Sequence, residues 1–124
     1  MKNEDGWEFH EGQRLEGGIR TAAELWCTDP AAAKQQYGPI ASWDTSEITI
    51  MYRLFYHKAE FNGDISRWDV SKVKYMNSML NGATSFTHQL TGAWSTSTAY
   101  KDGMFHNCPG SIAGKTNNAE GTPE

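Results

Sequence analysis

The chain has 124 residues, 12 % of them aromatic and 38 % apolar, with a formal net charge of −4. At 13.9 kDa it is one domain with a modest core, and a pI near 5.5 with scattered Lys and Arg excludes a nucleic-acid backbone as partner. No apolar run approaches the roughly 18 residues of a membrane span, and the start Met1-Lys2-Asn3-Glu4-Asp5 is too polar for a signal peptide, which points to synthesis in place or to a leader already removed.

Residues 1–18 read as a polar arm, in which Trp7, Phe9 and Leu15 are the side chains with something to bury. Residues 19–39 read as a helical cap. Ile19, Ala22, Ala23, Leu25 and Trp26 recur at near-helical spacing, with a start at Thr21 or earlier. Asp29-Pro30 then opens a second helix, Asp29 capping free amides and Pro30 standing at the first helical position, where its missing N–H costs nothing. Ala31 to Tyr37 continues it and Gly38 ends it.

Residues 40–108 carry a period. Trp43, Trp68 and Trp94 stand 25 and 26 residues apart; Ile40, Ile65 and Leu90 keep 25, as do Met51 and Met76, Phe61 and Phe86, Leu54, Met79 and Met104, and Phe55, Leu80 and Phe105. Several apolar columns sharing one period imply three stacked units that cannot bury their apolar faces alone. The third copy is irregular, with 10 residues from Trp94 to Met104 against 11 from Trp68 to Met79.

Within a unit, Val73, Met76, Met79, Leu80 and Ala83 fall on one helical face, and Ile48, Met51, Leu54 and Phe55 copy that pattern one unit earlier. Asp44, Asp69 and Ser95 each follow a Trp, and Ser46, Ser71 and Ser97 stand two further on; either column offers an oxygen to the first free amides of such a helix. Asp64 to Trp68 partly alternates apolar and polar residues like a short strand, as does the stretch through Leu90 towards Trp94. The expected fold is an α/β, leucine-rich-repeat-like solenoid of about three 25-residue units behind a helical cap, with 109–124 as a weakly ordered tail.

The phrases Phe61-Asn62-Gly63-Asp64-Ile65-Ser66-Arg67-Trp68-Asp69-Val70-Ser71-Lys72-Val73 and Ser42-Trp43-Asp44-Thr45-Ser46-Glu47-Ile48 resemble the BspA-type repeats, leucine-rich-repeat relatives first catalogued as a mycoplasma domain of unknown function. The resemblance covers about residues 37–108, and the lead-in Tyr37-Gly38-Pro39-Ile40 is similar to that of algal and protist members. It implies the solenoid fold; its bacterial members are read as surface adhesion or protein-binding modules. The chain departs from the family pattern at Gln89, at Ser95 and throughout residues 110–124.

Catalytic and cofactor chemistry find little support. Gly110 to Thr116 is similar to a phosphate-binding loop but is one residue short between the glycines, with no strand plainly feeding it. His10, His57, His88 and His106 share no column and no i, i+4 spacing, so they define no metal site. Neither Cys27 nor Cys108 has an evident cationic neighbour in sequence. Three stacked strands would hold the two thiols about 14 Å apart, beyond the roughly 7 Å limit for a disulfide.

The expectation is therefore a non-enzymatic protein with no cofactor and no metal, a protein-binding or structural element. Its partner is expected at the open end of the last unit, through Met104 and Phe105, and through Trp7 and Phe9 of the arm. It would serve as a cell-surface recognition module or as an accessory subunit of an algal photosynthetic or other membrane complex. Carbohydrate binding along the Trp43, Trp68 and Trp94 ladder is a further alternative. Trp43, Trp68, Trp94, Met51, Met76, Leu54, Met79, Phe61 and Phe86 are assigned to the core, and Asp44, Asp69 and Ser95 to helix capping.

Overall fold

The computed structural model describes residues 18–114. Two helices open it: α1 spans Gly18–Thr28 and α2 Pro30–Tyr37. The break between them is a capping device, because the Asp29 carboxylate accepts from the Ala32 amide at 3.1 Å while Pro30 begins α2. Gly38, at φ 85°, ends it. A 3-10 turn follows at Ile40–Ser42. Much later come β1 at Gln89–Leu90, α3 at Ala93–Thr96 and β2 at Ser111–Ile112, with β1 and β2 pairing in parallel.

This inventory corrects the expected architecture. The described residues hold three short helices and one two-stranded sheet, most of the rest being turn and loop, and no succession of strand–helix units forms an α/β solenoid. The stretches read as helices, Ile48 to Phe55 and Val73 to Ala83, contain turns at 52–57 and 77–82. Asp64 to Trp68 is not a strand. Ser111 and Ile112, assigned to the tail, form β2 instead.

Backbone dihedrals explain the failure of the helical reading. Arg53 and His57 have φ of 57° and 59°, Ser78 and Gly82 have 58° and 82°, and Gly103 and Asn107 have 70° and 55°. A left-handed residue every fourth position interrupts any α-helix, and for the non-glycines it costs about 1–2 kcal/mol each.

Hydrogen bonding between segments offsets that cost. In residues 51–58, alternate amides bond locally, Leu54 to Met51, Tyr56 to Arg53 and Lys58 to Phe55. The others bond sideways: Met51, Arg53, Phe55 and His57 donate to the carbonyls of Tyr75, Asn77, Met79 and Asn81 at 2.7–3.2 Å. Met76, Ser78, Leu80 and Gly82 donate in the same manner to Tyr100, Asp102, Met104 and His106 at 2.7–3.0 Å. An α-helix spends every interior amide on its own turn and has none left for a neighbour. We refer to residues 51–57, 76–82 and 101–107 as rows one, two and three.

The apolar core lies behind the rows. Trp43 and Trp68 stack at 6.0 Å, Phe61 and Phe86 at 5.8 Å, and Phe55 lies on Phe61 at 3.9 Å. Each buried indole finds a carbonyl for its N–H: Trp43 on Gly38 at 2.9 Å, Trp68 on Ile40 at 2.8 Å, Trp94 on Ile65 at 3.1 Å. Such a bond removes the desolvation penalty that a buried indole N–H otherwise carries. Helix α1 covers row one. Ile19, Ala22 and Ala23 are buried, the Arg20 guanidinium donates to the Tyr52 carbonyl, and Glu24 pairs with Lys58 at 2.8 Å.

Candidate functional site

The residues assigned to the core, Trp43, Trp68, Trp94, Met51, Met76, Leu54, Met79, Phe61 and Phe86, are all buried. That corrects the sugar-ladder alternative, since Trp43 is 4 % exposed, Trp68 1 % and Trp94 0 %, leaving no open ring face to stack on. Met104 and Phe105 are buried as well, at 0 % and 8 %, so the expected apolar docking patch at the last unit does not exist as an exposed surface. Trp7 and Phe9 lie outside the described residues.

The capping residues have other duties. The Asp69 carboxylate accepts from the Ser71 amide at 3.0 Å and hydroxyl at 2.6 Å, and Asp44 does the same with Ser46. With no helix following, these are closed Asx turns, local structures that fix the loop after each Trp. Asp64 and Ser66 form a third, which the sequence reading assigned to a strand. The serine bonds hold the Asp64 and Asp69 carboxyls below the usual carboxylate range. Ser95 sits inside α3, and its hydroxyl donates to the Ala113 carbonyl at 2.7 Å, tying α3 to the end of β2.

Two features stand out from this scaffold. The first is a cleft of about 510 Å³ lined by Trp26, Cys27, Pro30, His57, Lys58 and Glu60, among others. It brings a thiol and an imidazole to one place, yet burial pushes the Cys27 thiol up to about 11, against the pull of the Lys58 ammonium. A nucleophilic cysteine needs the opposite shift. Cys108 is likewise raised by burial, and both cysteines are free. His88 bonds to the carbonyl of Asn62, which also lines the Cys27 cleft, but His88 itself is not among the lining residues.

The second feature is a line of large exposed apolar side chains. Ile50, Tyr75 and Tyr100 are each 50 % exposed, and parallel backbone bridges join Ile50 to Tyr75 and Tyr75 to Tyr100. Adjacent paired segments lie roughly 4.8 Å apart, so the three side chains form a continuous stripe across the head of the rows. Tyr52 adds to it, and the Arg53 guanidinium lies over the Tyr52 and Tyr56 rings at 5.2 and 4.3 Å. This stripe was present in the sequence as a 25-residue column, but periodicity alone does not say which columns face water.

The described residues form a turn-rich unit with an aromatic core, cross-bonded rows and an exposed stripe of Ile50, Tyr75 and Tyr100. The chain belongs to the family described as Mycoplasma protein of unknown function, DUF285, which it matches over residues 29–116. Comparison with curated proteins and with solved structures gave no match.

Proposed function

We propose that this protein is a non-catalytic binding module, an interaction element or small subunit that takes a protein partner on the Ile50, Tyr75 and Tyr100 stripe. The observation that supports this reading is the exposure of three large side chains in one backbone-paired line, beside Tyr52 and Arg53. Tyr and Arg are enriched among residues that carry binding energy, and Tyr buries much area for little conformational entropy. The stripe takes over the role that the sequence reading assigned to Met104 and Phe105. The narrower kinship with BspA-type proteins, carried by the Trp43-Asp44 and Trp68-Asp69 phrases, belongs to the same proposal, and recognition at a cell surface is one form it takes.

The test compares immobilised wild-type protein with a Tyr75→Ser/Tyr100→Ser variant in an extract of the source organism, bound proteins being quantified by mass spectrometry. Truncating two central aromatics is expected to lower retention of the partner at least about tenfold, as loss of a central contact does at other interfaces. The variant should keep the wild-type circular dichroism, since both side chains are half exposed. Retention of every wild-type partner by a folded variant overturns the assignment.

A further inference from the structure

The rows are polar in a directional sense. Each row's sideways amides donate to the next row in sequence, and its sideways carbonyls accept from the row before. Row three is the last in the described residues. Its carbonyls at Tyr100, Asp102, Met104 and His106 accept from row two, and those at Lys101, Gly103 and Phe105 accept locally from Met104, His106 and Cys108. The amides of Gly103, Phe105 and Asn107 occupy the positions that donate sideways in rows one and two, at Arg53, Phe55 and His57 and at Ser78, Leu80 and Gly82. Among the described residues none of these three amides has an acceptor. Row three therefore presents an edge of hydrogen-bond donors at alternate residues, with every carbonyl from Tyr100 to His106 already engaged.

The opposite edge is closed. In row one the equivalent acceptor positions are Ile50, Tyr52, Leu54 and Tyr56, and α1 packs on this side of the row, with the Arg20 guanidinium on the Tyr52 carbonyl and Glu24 paired with Lys58. The cation stands where the amide of an earlier row would stand.

We infer that the Gly103, Phe105 and Asn107 amide edge is a docking edge for a second polypeptide that lays a carbonyl-presenting turn row along it, of the form that residues 75–81 lay along row one. Donor and acceptor complementarity selects this occupant. A second copy cannot pair edge to edge in two-fold fashion, because donors would meet donors. Head-to-tail stacking of identical copies is blocked by α1. A regular β-strand edge offers its own amides among its carbonyls, so part of it would face donors. A chain with the same alternate-amide backbone and an uncovered first row meets all three amides with carbonyls. This inference rests on different atoms from the Tyr75 and Tyr100 stripe, and a Tyr75→Ser/Tyr100→Ser background leaves its test unchanged.

The probe is the full chain with Arg20→Glu and Ala23→Glu, which place carboxylates against the Tyr52 carbonyl and in the buried face of α1 and so lift α1 from row one. Isotope-labelled wild-type protein is mixed with this variant and amide hydrogen exchange is followed residue by residue. In free wild-type protein the Gly103, Phe105 and Asn107 amides should exchange fast while those of Ser78, Leu80 and Gly82 are protected. In the mixture the three should slow at least about tenfold, as amides do when an edge becomes paired, and native mass spectrometry should show a wild-type–variant complex. Protection already present in free wild-type protein, from its own chain or from self-association, overturns the inference. So does unchanged exchange in the mixture when the variant keeps its tryptophan fluorescence.

Should the variant lose its core, a fusion decides. A copy of residues 75–99 placed after Glu124 puts its first tyrosine 25 positions beyond Tyr100, with the same seventeen-residue connection that joins Gly82 to Tyr100. Protection of the three amides in the fusion supports the edge, and exchange as in the wild type overturns it.

Discussion

Replacing Trp68 tests the core and its polar bookkeeping together. The side chain is fully buried, stacks on Trp43 at 6.0 Å, lies against Phe55 at 6.2 Å, and donates its indole N–H to the Ile40 carbonyl at 2.8 Å. Truncation to alanine removes the packing, at about 3–5 kcal/mol for a buried aromatic. It also strands the Ile40 carbonyl, at about 1–3 kcal/mol less whatever water entering the cavity recovers. We expect a total of about 4–6 kcal/mol, a large share of the roughly 5–15 kcal/mol that holds a small domain together. Trp68→Phe separates the two parts, since it keeps much of the stacking and loses the donor, and should cost about 1–3 kcal/mol. Urea unfolding followed by far-ultraviolet circular dichroism reads both, the alanine variant moving the midpoint by on the order of 2 M if the slope is unchanged. A loss below about 1 kcal/mol for Trp68→Ala would refute the placement of this ring and of the carbonyl beneath it.

Two further outcomes are expected. Gly82→Ala should destabilise by about 2–3 kcal/mol, because φ is +82° and the added Cβ would lie 2.5 Å from His57 Cδ2 and 3.2 Å from its Cα; Gly103→Ala, at φ +70° with only the Ser78 Oγ nearby at 3.4 Å, should cost about 1 kcal/mol. Thermal melts of the pair should keep that order, and equal losses would show that the Gly82–His57 contact is not tight. Cys27, raised from 9.0 to about 11, should react with iodoacetamide at pH 8 about a hundredfold more slowly than an unperturbed thiol, in proportion to its thiolate fraction. The same shift makes the unfolded chain release its proton first, so stability falls as pH rises from 9 towards 11; rapid labelling of the folded protein at pH 8 would contradict the burial.

What the sequence made legible was local. Asp29-Pro30 and Gly38 mark α2 because a cap, a missing amide and a left-handed stop each depend on one residue's own chemistry. The Trp column reads as core because a large side chain recurring at one period has to be stacked. The conformation of the rows was not legible in the same way. Met51, Leu54 and Phe55, or Met76, Met79 and Leu80, satisfy a helical spacing and also satisfy a ribbon of alternating local and sideways bonds. Arg53, His57 and Ser78 carry no mark of a left-handed backbone; the mark is in Gly82 and Gly103, which share columns with His57 and Ser78 respectively. Read across the period, those two glycines argue against a helix through every row.

Row direction ties the cap to the candidate surfaces. A stack in which every sideways amide points the same way ends in carbonyls on one side and amides on the other, and the two ends need different partners. The carbonyl end receives a cation, Arg20, on a helix anchored by Ile19, Ala22 and Ala23 and by the Glu24–Lys58 pair; charge-assisted bonds of this kind are stronger than neutral ones. Among the described residues the Gly103, Phe105 and Asn107 amides at the other end meet no acceptor, and the short β1–β2 pairing lies beside them in sequence. Among the described residues row two is bonded sideways on both flanks, whereas the Gly103, Phe105 and Asn107 amides of row three are not, so opening is expected to start at row three and proceed towards α1. The stripe of Ile50, Tyr75 and Tyr100 joins the residues that immediately precede the three rows. A partner that grips Tyr100 therefore also steadies the row that opens first, and a row added beyond Asn107 would extend the stripe. On the two proposals together, occupation of either surface would favour occupation of the other through the stability of row three, without any change in the shape of rows one and two.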